Sequence, residues 1–237
     1  MQALHVTKVC LMAAALALSS CGDKGKREVK EVKTQVQSAF GNKDFSRVLT
    51  LSQKGLALAR ESMGDKAPDT LYFVQGISEA NLQMRNVRGA IPALKNELAM
   101  RAAAGQPEAK LQARRTLLIK MAEEAGDTMT AADQAVIVSR GVGMRAGMEP
   151  QPVYQMAAYY PPQPYQQKIE GFVEIGFGLD SKGSVVGARV LKSDPPGVFD
   201  DAALEAFRKW RYTPILDSRG QPTSGSGFKY KMDFVLK

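Results

Sequence analysis

Few side chains in this sequence of 237 residues could do acid–base, nucleophilic or metal chemistry. Its only histidine, His5, and its only cysteines, Cys10 and Cys21, lie within the first 21 residues. Carboxylates gather at residues 200–205, but carboxylates at the start of a helix usually accept hydrogen bonds from its free N–H groups. Acid–base catalysis and zinc binding usually rely on histidine or cysteine. We therefore expect no catalytic residue, no metal site and no cofactor, and a protein that is not an enzyme.

Cys21 is the one residue for which the sequence predicts a covalent modification. Lys8 is followed by an apolar run of ten residues, 9–18, which is too short to span a membrane and predicts a cleaved signal peptide over residues 1–20. The run ends in Leu18-Ser19-Ser20 directly before Cys21, which resembles the lipobox of bacterial lipoproteins. That resemblance implies lipid attachment at Cys21 and a membrane anchor. An ordinary secretory signal with a coincidental cysteine is the alternative.

The middle of the chain is predicted to be helical. Residues 21–29 are polar and predict a flexible tether. Residues 30–141 then show apolar side chains at helical spacing, and Asp44 is placed to cap a helix that runs to Met63. Further helices are predicted over residues 70–84, 88–103, 108–125 and 130–140. We therefore expect an all-α domain over residues 30–141.

The helical domain also contains a repeat. Similar hinges at residues 42–45, 85–88 and 126–129 recur about every 42 residues. The spacing and the motif Ala80-Asn81-Leu82 resemble tetratricopeptide-like repeats. The resemblance implies a concave surface that binds a peptide or protein, whereas a plain helical bundle used as a spacer is the alternative.

The last third of the chain predicts a β-β-α-β unit over residues 160–237, after a semi-extended linker over residues 142–159. Two strands, 172–179 and 184–192, flank the turn Asp180-Ser181-Lys182-Gly183. A helix over 200–210 and a final strand over 228–236 complete the unit. The whole chain is thus predicted to be α+β, with an all-α first domain and a small β-rich second domain.

Three motifs in this last unit resemble the C-terminal domain of the TonB family. They are Tyr160-Pro161, Ile169-Glu170-Gly171 and the run from Arg208 to Pro214 that contains Trp210. The resemblance covers about a third of the chain. It implies a periplasmic module that docks on outer-membrane receptors, and a role in TonB-dependent transport.

The candidate binding site is the last strand. Its odd- and even-numbered residues are predicted to face opposite sides, with apolar side chains on one face and charged ones on the other. Lysines on such a strand commonly protect an exposed edge from aggregation. The resemblance implies in addition that a receptor segment pairs with this edge by strand addition. The predicted partner-binding residues are Tyr160, Pro161, Phe228, Lys229, Tyr230, Lys231, Met232, Asp233 and Phe234.

Two departures from the well-studied transducers bear on function. Ala157 stands where they have a receptor-contacting glutamine, and the only histidine precedes an apolar run that is too short to be their membrane anchor. The alternatives are an energy transducer with a retained inner-membrane anchor, and an envelope scaffold that binds partners through its helical repeats. A second copy of the chain is a further candidate partner. No long basic run accompanies the net charge of +8, so we expect no nucleic acid partner.

The predicted location is the periplasmic side of a Gram-negative membrane, with a lipid anchor at Cys21. Gly22 follows the cysteine, where an aspartate would favour retention in the inner membrane. This favours the outer membrane.

Overall fold

The computed structural model describes residues 24–140 and 144–236. The predicted signal peptide and Cys21 lie outside the described residues. The chain divides into two compact units, Met1–Gln106 and Pro107–Lys237. The first is helical and the second is mixed, so the predicted α+β class is confirmed.

Four helices make up the described part of the first unit. They are α1 (24–41), α2 (Phe45–Met63), α3 (Pro68–Gln83) and α4 (Val87–Ala103). Helices α2 and α3 pack on each other, as do α3 and α4. Val36, Val48, Ala59 and Phe73 are fully buried in the core that joins α1, α2 and α3.

The predicted tether is wrong where it overlaps the described residues. Residues 24–29 form the first turns of α1 rather than a flexible segment. Val29 is 1% exposed and continues the apolar stripe of Val32 and Val36 by one turn towards the N-terminus. The charged side chains of this stretch lie on the opposite, exposed face. They therefore allow Val29 to be buried and the helix to extend over residues 24–29.

The three hinges predicted from the repeat share one backbone geometry. Lys43, Arg85 and Gly126 have φ angles of 56°, 55° and 75°, in the left-handed region that ends many helices. The residue after each one, Asp44, Asn86 or Asp127, accepts a hydrogen bond from the backbone N–H three residues ahead, at 3.0, 3.2 and 3.0 Å. Each therefore caps the next helix. The described residues thus contain three helical hairpins with equivalent hinges: α1–α2, α3–α4 and the pair of helices over residues 108–125 and 128–140.

The second unit combines the third hairpin with the C-terminal strands. It contains α5 (Glu108–Ala125), α6 (Thr128–Arg140), β1 (Pro152–Tyr154), α7 (Pro162–Gln166), β2 (Gly171–Leu179), β3 (Val185–Asp194), α8 (Asp200–Phe207), β4 (Arg211–Tyr212), β5 (Ile215–Leu216), β6 (Pro222–Thr223) and β7 (Gly225–Phe234). The predicted all-α domain over residues 30–141 therefore needs correction. Its last two helices belong to the C-terminal unit, because Ile119, Ala122, Ala135 and Val138 share a core with Tyr154 of β1.

The main sheet has three antiparallel strands in the order β3-β2-β7. Its pairing runs from Gly171 opposite Phe234 to Leu179 opposite Gly225. Helix α8 packs on one face, where Phe199 and Phe207 are fully buried. The predicted β-β-α-β order is confirmed, although α8 ends at Phe207 because the chain turns at residues 208–209 into β4.

Candidate partner-binding edge of the C-terminal sheet

Strand β7 lies at an edge of the main sheet. The order β3-β2-β7 places β2 in the centre, so β7 hydrogen-bonds to β2 along one side only within this sheet. In an antiparallel pair, alternate residues direct their N–H and C=O groups to the partner strand and the others direct them outwards. The outer side of β7 therefore presents a row of backbone donors and acceptors that can pair with another extended chain.

The side chains of β7 alternate as the sequence predicts. Met232 and Phe234 are buried, and Phe228 and Tyr230 are half-buried against the same core. The opposite face carries the exposed Lys229, Lys231 and Asp233.

The charged face of β7 is engaged with its own sheet. The Lys229 ammonium lies 3.9 Å from a Glu174 carboxylate oxygen of β2, and that of Lys231 lies 2.9 Å from Asp233. Lys231 also lies 4.5 Å above the centre of the Phe172 ring. Exposed pairs of this kind contribute little to stability, so these charges remain available to a partner.

Tyr160 packs against one end of β7, and Pro161 follows it in the chain. The Tyr160 ring contacts Phe234 and Phe199 edge-on, at 5.8 and 5.4 Å between ring centres, and its hydroxyl donates to the Ile169 carbonyl oxygen. Pro161 directly precedes α7 as its N-cap. Both residues are half-buried. The structure therefore brings Tyr160 to the predicted strand at Phe234.

Residues 149–158, hereafter the wall strip, run beside β7, although the sequence predicted a linker over residues 142–159. Within the strip, β1 pairs with β4, with Pro152 opposite Tyr212. The indole N–H of Trp210 donates to the Met156 carbonyl oxygen at 2.8 Å. Tyr154 is 8% exposed and packs on α5 and α6. The predicted linker thus needs correction where it overlaps the strip, because hydrogen bonds and burial fix this segment.

Two shallow grooves separate the wall strip from β7. One has a volume of about 350 Å³ and is lined by Gln155, Met156, Ala157, Ala158, Trp210, Tyr230, Met232, Asp233 and Phe234. The other has a volume of about 440 Å³ and is lined by Glu149, Pro150, Pro152, Phe177, Tyr212, Gly227, Phe228, Lys229 and Tyr230. Together they follow β7 from Gly227 to Phe234. The candidate site is therefore a slot between a strand edge and a second wall, and Ala157 lines it.

Burial changes the ionisation of the groups behind the strip. Desolvation raises the pKa of Tyr154 to about 12, with Glu124 and Glu123 adding to the effect. Burial also raises the pKa of Tyr212, and that of the Glu123 carboxyl despite the opposing charge of Arg211. Tyr154 and Tyr212 therefore remain neutral to a higher pH than an exposed tyrosine does.

The sequence missed the wall strip, and one signal could have found it. From the sequence, Trp210 was noted only as part of a family motif, yet a buried indole N–H usually needs an acceptor. The Met156 carbonyl is that acceptor. Among the described residues, no group of three or more His, Cys, Asp or Glu side chains is arranged to hold a metal ion.

The family of Gram-negative bacterial TonB protein C-terminal domains matches residues 156–236, which include α7, α8 and all the strands from β2 to β7. These residues form a TonB C-terminal domain. The match begins inside the wall strip, so α5, α6 and residues 149–155 of the strip precede the matched residues.

Two relatives carry the same name. The TonB protein of Escherichia coli (strain K12) is 33% identical over 98 residues, which are 41% of this chain and 36% of that protein. The TonB protein of Salmonella typhimurium (strain LT2) is 35% identical over 66 residues, 28% of this chain and 25% of that protein. The matched part thus spans about a third and a quarter of these two relatives.

Two solved TonB structures each match 40% of this chain. The solution structure of the Pseudomonas aeruginosa TonB C-terminal domain is 25% identical and covers 40% of this chain and 95% of that domain, with a TM-score of 0.33. The TonB2 protein of Vibrio anguillarum is 26% identical and covers 40% of this chain and 89% of that structure, with a TM-score of 0.30. Every helix in the described part of this chain is too short or too polar to cross a lipid bilayer.

Proposed function

We propose that this chain binds extended segments of outer-membrane receptors, or of other envelope proteins, by adding them as a fourth strand beside β7. The observation that carries the proposal is the position of β7, whose free edge borders a slot in a domain of the TonB type. Binding then rests on the backbone of Phe228–Phe234, and catalysis plays no part.

The slot supplies both affinity and selectivity to such a partner. Main-chain hydrogen bonds to β7 hold the segment irrespective of its sequence, and alternate side chains are read by the surfaces on either side. On the inner face these surfaces are Trp210, Tyr230 and the wall strip. On the outer face they are Lys229 and Lys231, which favour acidic side chains in the segment.

The proposed setting is TonB-dependent transport across the outer membrane. Two relatives named Protein TonB match this part of the chain, which supports the setting. In this account the chain acts on the periplasmic side of the membrane as a tethered binding protein.

Backbone substitution in the ligand tests strand addition. We would titrate the full chain with synthetic ten-residue peptides that copy extended periplasmic segments of outer-membrane receptors from the same organism. The peptide that binds is then remade with N-methyl groups on its odd-numbered or on its even-numbered residues. Because only alternate N–H groups face β7, one series should lose binding and the other should keep most of it. Equal losses in both series, or no binding peptide at all, would contradict the proposal.

The anchor is proposed to be a lipid on Cys21, which lies outside the described residues. Intact mass spectrometry of the protein from membranes tests it. A chain that begins at Cys21 and carries acyl mass supports a tethered binding protein. A chain that retains Met1 supports instead an energy transducer with a retained inner-membrane anchor.

A second candidate function rests on the three equivalent hinges. Their helical hairpins are typical of repeat proteins that bind partners along a helical surface. In this alternative the chain is an envelope scaffold, and partners contact exposed positions of the hairpins such as Met84, which follows α3 and is 37% exposed. A photoreactive side chain at Met84 should then cross-link partners in cells, whereas one at Lys231 should not.

A further inference from the structure

One end of the slot is a depression with an aromatic floor. Phe177 and Tyr212 are 6% and 5% exposed there, and Phe228 and Tyr230 are half-buried beside them. Pro150 and Pro152 of the wall strip form the opposite side. The two charged residues of the lining, Glu149 and Lys229, are both exposed. The surface at the base of the depression is therefore apolar, with charge at its rim.

The proline side of the depression is held by two hydrogen bonds between Gln151 and Thr213. The N–H of Thr213 donates to the Gln151 carbonyl oxygen at 2.8 Å, and the N–H of Gln151 donates to the Thr213 hydroxyl oxygen at 2.9 Å. Gln151 lies between the two prolines, whose φ angles are fixed by their rings. Two residues on, Tyr154 is buried against α5 and α6. The depression is thus formed before a partner arrives, which lowers the entropic cost of binding.

We propose that this depression, the proline pocket, binds one bulky apolar side chain of the docked segment, a proposal that rests on the proposed strand addition at β7. Side chains on one face of a strand recur every second residue, about 7 Å apart. A segment beside β7 therefore directs one inward side chain to Phe228 and the next inward side chain to Tyr230. The first enters the proline pocket, and a later one faces Met156 and Trp210.

The chemistry of the lining selects the occupant. An aromatic or large aliphatic side chain would bury its surface against four aromatic rings and two prolines. A charged side chain would lose water without gaining a buried partner, because the charges of Glu149 and Lys229 lie at the rim. The pocket thus discriminates among segments that would all pair equally well with the backbone of β7.

The pocket draws on residues that precede the stretch matching the family. Pro150 and Pro152 precede the matched residues 156–236, and so do the helices that support Tyr154. The part of the chain that looked like a linker therefore supplies a specificity element to the TonB domain.

Coupled substitutions in the chain and the peptide test the pocket. The probe is the receptor-derived peptide that binds the full chain, together with variants in which each apolar residue is replaced in turn by alanine. At one position the alanine peptide should bind at least tenfold more weakly. Pro150→Asp should weaken binding of the parent peptide by a similar factor. The affinity of that alanine peptide for Pro150→Asp should be nearly the same as its affinity for the unaltered chain. Met148→Asp is the matched control, since Met148 is 44% exposed and does not line the pocket.

The outcomes separate the pocket from strand addition. If one N-methyl series abolishes binding but no alanine position couples to Pro150, strand addition stands and the proline pocket is wrong. If no peptide binds, or both N-methyl series behave alike, strand addition fails and the pocket fails with it. Trp210 fluorescence during thermal unfolding checks that Pro150→Asp remains folded. If it does not, Pro152→Ser replaces it and must show the same coupling.

Discussion

The carboxylate of Glu123 on α5 and the guanidinium of Arg211 on β4 form an ion pair in which the side chains are only 3% and 4% exposed. Arg211 also donates to the Trp210 carbonyl oxygen at 2.9 Å. The pair therefore ties the third helical hairpin to the strand that supports the wall strip. A pair buried this deeply is costly to break because the remaining charge is left without its counter-ion.

Glu123→Ala should destabilise the C-terminal unit by about 3–5 kcal/mol, since it leaves the Arg211 charge buried. Denaturant unfolding followed by Trp210 fluorescence measures this, because Trp210 is the only tryptophan. Glu124→Ala is the neighbouring control, on a carboxylate that is 35% exposed, and should cost at most about 0.5 kcal/mol. Replacing both Glu123 and Arg211 by leucine should recover much of the loss. Equal effects of the two single variants would contradict a structural role for the pair.

Stability should fall at alkaline pH because Tyr154 is buried. Its pKa is about 12 in the folded chain, against about 10 in the unfolded chain. A raised pKa contributes stability below pH 10, and this contribution is lost as the pH rises towards 12, at about 1.4 kcal/mol per pH unit. Tyr154→Phe should therefore show a shallower decline between pH 10 and 11.5 in the same unfolding measurement. Tyr159→Phe, at a residue 54% exposed, should leave the slope unchanged.

The hinge caps should each contribute to the stability of their own unit. Asp44→Ala removes an acceptor for the Arg47 N–H and should cost about 1 kcal/mol. Thermal unfolding followed by circular dichroism measures the change in the helical unit. Asp65→Ala is the control, because that side chain is 79% exposed and caps no helix. A cost below about 0.3 kcal/mol for Asp44→Ala would show that the hinge does not depend on its cap.

Tyr160→Phe separates a structural role from a partner contact. Loss of the hydroxyl removes the hydrogen bond to Ile169 while the ring stays against Phe234, so the unit should lose about 1 kcal/mol of stability. Peptide affinity should change less than twofold. A large loss of affinity with unchanged stability would instead make the hydroxyl a direct partner contact.

Local sequence patterns predicted the elements whose structure depends mainly on residues close together in the chain. Asp44 marked the start of α2, and the alternation from Phe228 to Phe234 fixed which face of β7 is buried. The repeat of the hinges at residues 43, 85 and 126 was visible because each needs a left-handed residue followed by a cap. The helix over residues 24–29 was not predicted because most of these residues are charged. The burial of Val29 depends on neighbouring helices, which the local sequence does not reveal.

The wall strip was not predictable in this way. Strands β1 and β4 have only three and two residues, and they join parts of the chain that are far apart in the sequence. Pro150 and Pro152 are typical of a linker until Thr213 is known to face Gln151. Long-range pairing of this kind leaves no periodic signal in the sequence, and the second wall of the candidate site depends on it.

The measurement that tests the central claim most directly is site-specific photo-cross-linking in cells of the organism that encodes this chain. A photoreactive side chain would replace Lys231 on β7 or Met84 at the C-terminal end of α3, in the full chain, and mass spectrometry would map the captured peptides. We predict that the Lys231 position captures an extended segment of an outer-membrane receptor or another envelope protein, and that the Met84 position does not. Capture of partners at Met84 alone, or no capture at Lys231, would contradict binding at β7.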